Sequence, residues 1–129
     1  RIISCGYNGT PAGQINCNEM FKSENGKFYL RDNNEEEWKE VPEMEWRAKH
    51  HEFANEQEIH AEQSCLGYAL KWTMNITGAS MVISHEPCES CARLIYAAGI
   101  KNVMYVNKYD RGSKGIQFLE RNGVTVEKI

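Results

Sequence analysis

Met81-Val82-Ile83-Ser84-His85-Glu86-Pro87-Cys88-Glu89-Ser90-Cys91-Ala92 decides how this chain is read. Met81-Val82-Ile83 reads as a buried strand, and Pro87 suits the first turn of a helix that runs to Ala98 and stops at Gly99. Upstream, Ala61, Cys65, Leu66, Ala69, Leu70 and Trp72 or Met74 keep helical spacing, with Gly78 as the stop. Downstream, Val103-Met104-Tyr105-Val106 predicts a strand, Ser113 to Arg121 a helix ended by Asn122-Gly123, and Val124-Thr125-Val126 a last strand. Strand, helix, strand, helix, strand is the order of an α/β domain with parallel strands and right-handed crossovers.

The first half is less regular. Ile2-Ile3-Ser4-Cys5 predicts the end of a short strand. Gly6 to Gly13 is a turn-rich loop, with three glycines and a proline in eight residues. From about 14 to 56 the periodicity is weak, with Trp38 and Trp46 as expected anchors. That is too long for an ordinary connection, so a functional insertion is expected within a single domain of 1–129.

Composition narrows the classes. The net charge of −3 divides unevenly: residues 17–59 hold 12 acids and 6 bases, and the remainder 6 acids and 9 bases. A mildly basic core suits a small anionic substrate and lacks the basic stripe of a nucleic-acid binder. The acidic segment reads as a solvated face. No apolar run has membrane-spanning length, and Arg1-Ile2-Ile3-Ser4 has no signal-peptide pattern. Five irregularly spaced cysteines do not suggest a disulfide framework, so a reducing, cytoplasmic setting is expected.

Chemistry concentrates in His60-Ala61-Glu62 and Pro87-Cys88-Glu89-Ser90-Cys91. Cys88 and Cys91 are three apart on a predicted helix, where the dipole and free N–H groups favour thiolate. With His60 they make three ligands, leaving a fourth tetrahedral position for water, as in a catalytic zinc site. A structural zinc, with His85 as the nearest spare ligand, and a redox dithiol are the competing readings. Two thiolates and a neutral imidazole cancel the charge of zinc, so a general base is required. Glu62, two residues from a ligand, is placed for that role; a helix-start carboxylate favoured by the dipole is its bland alternative. One imidazole, two thiolates and a carboxylate are the set that a zinc-dependent deaminase of amino-substituted bases needs.

Gly6-Tyr7-Asn8-Gly9-Thr10-Pro11-Ala12-Gly13, Glu58-Ile59-His60-Ala61-Glu62, Pro87-Cys88-Glu89-Ser90-Cys91-Ala92 and Ala98-Gly99-Ile100 carry a resemblance that spans nearly the whole chain. The chain resembles the bacteriophage-like deoxycytidylate (dCMP) deaminases of the zinc cytidine deaminase superfamily. The resemblance implies a cytidine deaminase-like, three-layer α/β/α fold with a mixed, largely parallel sheet. It implies hydrolysis of dCMP to dUMP and ammonia, catalytic Zn2+ on His60, Cys88 and Cys91, and Glu62 as the catalytic residue. It also implies homo-oligomers, commonly hexamers, and dCTP or dTTP as effectors, with neither nucleic acid nor membrane as partner.

Asn8 and Tyr109 match substrate-contacting positions, against the readings of a turn residue and a surface tyrosine. Cys17 and His50 occupy positions compatible with a second zinc, against a free thiol and a surface histidine. Lys71, Lys108, Arg111 and Lys114 are candidates for the substrate phosphate.

Gln63-Ser64-Cys65-Leu66 departs from the family's usual Asn-Ala-Ile run, which puts effector control in doubt. Relatives carry a helix and a strand before the position of Arg1. The resemblance therefore implies a partial chain whose missing strand would lie between Ile2–Ser4 and Met81–Ile83, leaving backbone groups without ladder partners. A zinc deaminase of another base, nucleoside or tRNA adenosine, and a weakly active zinc- or nucleotide-binding module, are the alternatives.

Overall fold

A computed structural model describes residues 1–108 and 112–129, which form two compact units, 8–59 and 1–7 with 60–129.

In the first unit, α1 (Cys17–Met20) leads into an antiparallel sheet of β1 (Phe21–Glu24), β2 (Lys27–Leu30) and β3 (Lys39–Val41), followed by α2 (Glu43–Gln57). Asn25 and Gly26 both take positive φ, 52° and 75°, so Asn-Gly closes the β1–β2 hairpin by a turn whose twist matches the strands. That dipeptide was the available sign of a hairpin inside the expected insertion. On α2, Trp46, His50 and Phe53 are spaced to share one face. Phe53 is buried with Phe21 and Leu30, and Trp46 packs against them. The pattern was hidden because a histidine holds the middle position of the apolar face. Trp46 also donates its indole N–H to the Tyr29 carbonyl at 3.0 Å. Trp38 anchors differently, between the Lys22 ammonium at 4.8 Å and the Arg31 guanidinium at 4.1 Å.

The second unit continues through α3 (Ala61–Lys71), β4 (Ser80–His85), α4 (Glu89–Ala97), β5 (Asn102–Asn107), α5 (Lys114–Arg121) and β6 (Thr125–Lys128). The strands lie in the order β4-β5-β6, all parallel, with Met81 opposite Val103 and Val103 opposite Val126. Two right-handed crossovers that step in one direction place α4 and α5 on one face of the sheet. Met81, Ile83, Val103 and Tyr105 point to that face and pack with Leu66 of α3, Ala92 and Ile95 of α4, and Ile116 and Leu119 of α5. Of the three expected layers, the described residues form the sheet and this helical side; Val82 and Val106 on the opposite face are exposed.

Three local expectations need correction. Ile2–Cys5 forms no strand. It leans on α3 instead: Ser4 donates its hydroxyl to the Cys65 carbonyl at 2.8 Å. A Cβ on Gly6 would stand 2.4 Å from the Cys65 nitrogen, so only glycine allows that backbone approach. A cavity of about 870 Å3, lined by residues 1–6, α3 and β4, lies beside β4, whose one ladder neighbour among the described residues is β5. Leu70 and Trp72, which keep the helical spacing of the apolar residues, are 78% and 63% exposed, because the buried face of α3 narrows to Leu66 and Ala69. Cys88 is the residue before α4 rather than part of its first turn, since its own backbone is extended, with ψ at 170°.

Candidate active site

His60, Cys88 and Cys91 come together from two helix starts. His60 immediately precedes α3, and its N–H donates to the Gln63 side-chain carbonyl at 2.9 Å, which fixes where the helix begins. Gln63, the point of departure from the family's usual run, therefore has a local structural role. Cys88 accepts the first intrahelical bond of α4 from the Ala92 N–H at 2.9 Å, and Cys91 lies one turn on. The His60 Nδ1 is 3.3 Å from the Cys91 Sγ and 3.7 Å from the Cys88 Sγ, and the three ligating atoms lie within 4.8 Å of one another. His85 is not in this group; its Nδ1 lies 3.1 Å from the Ser84 hydroxyl.

Cys91 is fully buried. Burial first, then the Glu62 carboxylate, then Cys88 push its thiol well above the ordinary range. A thiolate at Cys91 is thus costly in the protein alone, and a dication among these donors removes the cost. Two sulfurs and one imidazole nitrogen are a zinc-type donor set. Glu62, in the first turn of α3, sits beside that set and also borders the large cavity. On the outer side, Cys88, Ser90, Arg93 and Lys114 border a smaller cavity of about 370 Å3. Glu86, just before the ligand turn, is a buried carboxylate that motif reading passed over.

The other expected residues are distributed as follows. Asn8 is exposed and opens the 8–59 unit, next to the paired backbones of Gly9 and Ile59. Tyr109 and Arg111 lie outside the described residues. Cys17 and His50 do meet, with Sγ and Nε2 3.0 Å apart. His50 stacks on Trp46 at a 4° interplanar angle and meets Phe21 edge-on. The Cys17 thiol is raised by burial and then by Glu58, an acid that the sequence reading did not connect to it.

A parallel α/β sheet with a His, Cys, Cys group at two helix starts and an acid beside it defines a metal-dependent hydrolase class in which the metal is zinc. The profile of the cytidine and deoxycytidylate deaminase zinc-binding region matches residues 1–107, and the chain belongs to that family. It is 33% identical to the deoxycytidylate deaminase of Enterobacteria phage T4 over all of this chain and 74% of that protein. Against the deoxycytidylate deaminase of Enterobacteria phage T2 the identity is 34%, over all of this chain and 76% of that protein. The crystal structure of the dCMP deaminase of cyanophage S-TIM5 with dCMP and dUMP superposes with a TM-score of 0.61. It is 31% identical, covering 96% of this chain and 70% of that one.

Proposed function

We propose that the chain hydrolyses dCMP to dUMP and ammonia. The convergence of His60, Cys88 and Cys91 beside Glu62 is the observation that supports this reading most directly. His60, Cys88 and Cys91 would hold zinc, which when bound would supply the Lewis acidity that makes water nucleophilic at neutral pH. Because two thiolates and a neutral imidazole offset the metal's charge, that acidity is partial and a base is needed. Glu62 takes the proton from the attacking water and passes one to the ring nitrogen. Glu62 then takes the second proton, from the hydroxyl that the water has become, and gives it to the exocyclic amine; the carbon–nitrogen bond breaks, ammonia leaves, and the former water oxygen stays as the carbonyl of dUMP.

Asn8 and Tyr109 belong to the same reading as substrate contacts, carried by the resemblance of their loops. Cys17 and His50 are a second metal pair, with Glu58 near the Cys17 thiol. A homo-oligomer, with dCTP or dTTP as effectors, completes it; the exposed Tyr68, Leu70 and Trp72 offer apolar surface for assembly. Five free cysteines suit a reducing cytoplasm. No helix among the described residues is long and apolar enough to cross a membrane.

Ammonia release from dCMP, measured for wild type and Glu62→Ala, tests the assignment. The variant is expected to keep its zinc and lose at least about 10²-fold in turnover, the usual worth of a general acid–base group. Loss of zinc from the variant would make Glu62 structural. Faster turnover of deoxycytidine than of dCMP would remove the phosphate from the substrate.

A further inference from the structure

Glu86 is the one charged residue buried among the described residues, at 5% exposure. Burying a carboxylate is unfavourable unless its oxygens are bonded, so its presence next to a metal-ligand turn calls for a reason. Its backbone N–H donates to the Asn107 carbonyl at 3.0 Å, extending the β4–β5 ladder by one bond. Both carboxylate oxygens lie 3.1 Å from the Ser113 hydroxyl, which donates to one of them at a time, and the Tyr105 hydroxyl of β5 also faces this carboxylate. Ser113 is the residue before α5, where a serine hydroxyl ordinarily satisfies a free N–H of the helix. Here the hydroxyl makes no such cap bond and serves Glu86 instead. The carboxylate also lies close to the starts of both α4 and α5, where the helix dipoles favour negative charge.

A second contact fastens the same two segments. A Cβ on Gly115, in the first turn of α5, would lie 2.2 Å from the Pro87 carbonyl oxygen. The backbone of α5 is therefore seated directly on the turn that carries Cys88. Ser113 to Glu86 and Gly115 to Pro87 hold that turn from two points at the start of α5.

We propose that Glu86 is a positioning residue: its hydrogen bond from Ser113 ties α5 to the Pro87-Cys88 turn and holds Cys88 in place as a metal ligand. It acts through Cys88 and does not touch the substrate. The proposal rests on the zinc reading of His60, Cys88 and Cys91, and its main readout needs no substrate.

Zinc-loaded protein is challenged with a chromogenic chelator, and the rate of zinc release is followed for wild type, Glu86→Gln, Glu86→Ala, Ser113→Ala and the Glu86→Ala/Ser113→Ala double variant. Thermal midpoint, kcat and KM for dCMP are measured on the same preparations. Glu86→Ala is expected to release zinc at least about 10-fold faster, the lower range for losing a group that orients a ligand, and to lower kcat with little change in KM. Glu86→Gln, whose amide oxygen still accepts from Ser113, restores zinc release to within about threefold of wild type. Ser113→Ala moves in the direction of Glu86→Ala, and the double variant is no worse than Glu86→Ala alone.

Unchanged zinc release in Ser113→Ala and in folded Glu86→Ala, with only the thermal midpoint lowered, would overturn the proposal. So would failure of glutamine to rescue, or multiplying effects in the double variant. Should Glu86→Ala not fold, Ser113→Ala and Glu86→Gln decide it. If wild type holds zinc but does not deaminate dCMP, the proposed reaction fails while the zinc-release comparison still stands.

Discussion

Each unit of this protein sets a cysteine against a histidine, yet the surroundings differ. In the parallel-sheet unit, His60, Cys88 and Cys91 stand at the starts of α3 and α4, with Glu62 alongside and a cavity at its border. In the 8–59 unit, Cys17 and His50 are walled by Trp46 and Phe21. The first arrangement combines three possible metal donors with a separate acid, which under the proposed reaction is the group left over to move protons. In the second, burial and then Glu58 raise the Cys17 thiol, as burial and Glu62 raise Cys91, but the described residues group no third donor with Cys17 and His50. Donor chemistry alone therefore does not make a reaction centre. The first group is distinguished by a further acid beside an open space.

The largest effect expected from this contrast is on turnover. Cys91→Ser should lose the catalytic metal and fall to background, whereas Cys17→Ser should leave turnover within about tenfold while reducing bound metal, as loss of a remote structural ligand does. Metal analysis and ammonia release on the two variants check this. Equal losses of activity would abolish the distinction.

Packing should separate the units next. Ile95 is fully buried in the core of eleven buried residues, whereas Phe53 is one of three in the smaller core. Both alanine variants should cost about 3 kcal/mol. Hydrogen exchange on Phe53→Ala should show lost protection confined to 8–59, with Ile95→Ala opening 60–129. Loss across both units in the Phe53→Ala protein would make them one cooperative block.

The smallest effect is on pH. The Cys91 thiol lies above its ordinary value, so it is protonated in the metal-free protein at neutral pH and must release that proton when zinc binds. Protons then compete with zinc, and affinity should rise by about tenfold per pH unit for each proton released between pH 6 and 8. Competition titrations at three pH values measure the slope. A flat profile would mean that Cys91 is not a ligand.

Much of this was readable along the chain because it depends on near neighbours. Cys88 and Cys91 share a turn, His60 and Glu62 share a helix start, and the strand–helix alternation from residue 80 onward follows from local apolar spacing. The Asn25-Gly26 dipeptide marks a hairpin too, but the strands it joins are only four residues each and lie in acidic, weakly periodic sequence. The apolar face of α2 was disguised by His50, an aromatic ring that packs like its neighbours while counting as polar.

What the sequence by itself determined is the inventory: the donor types, their local spacing, the parallel order of the strands and the family they indicate. Tertiary structure decided how closely distant residues approach, and which meet without a motif to announce it. Cys17 and His50 are 33 residues apart, and Ser113 and Glu86 are 27 apart. No periodicity links such pairs, because their contact depends on how whole elements pack. The same holds for Leu70 and Trp72: helical spacing put them on the apolar side of α3, but only the packed sheet determined how wide that side is. A local pattern sets what a residue can do, and burial against particular neighbours decides what it does.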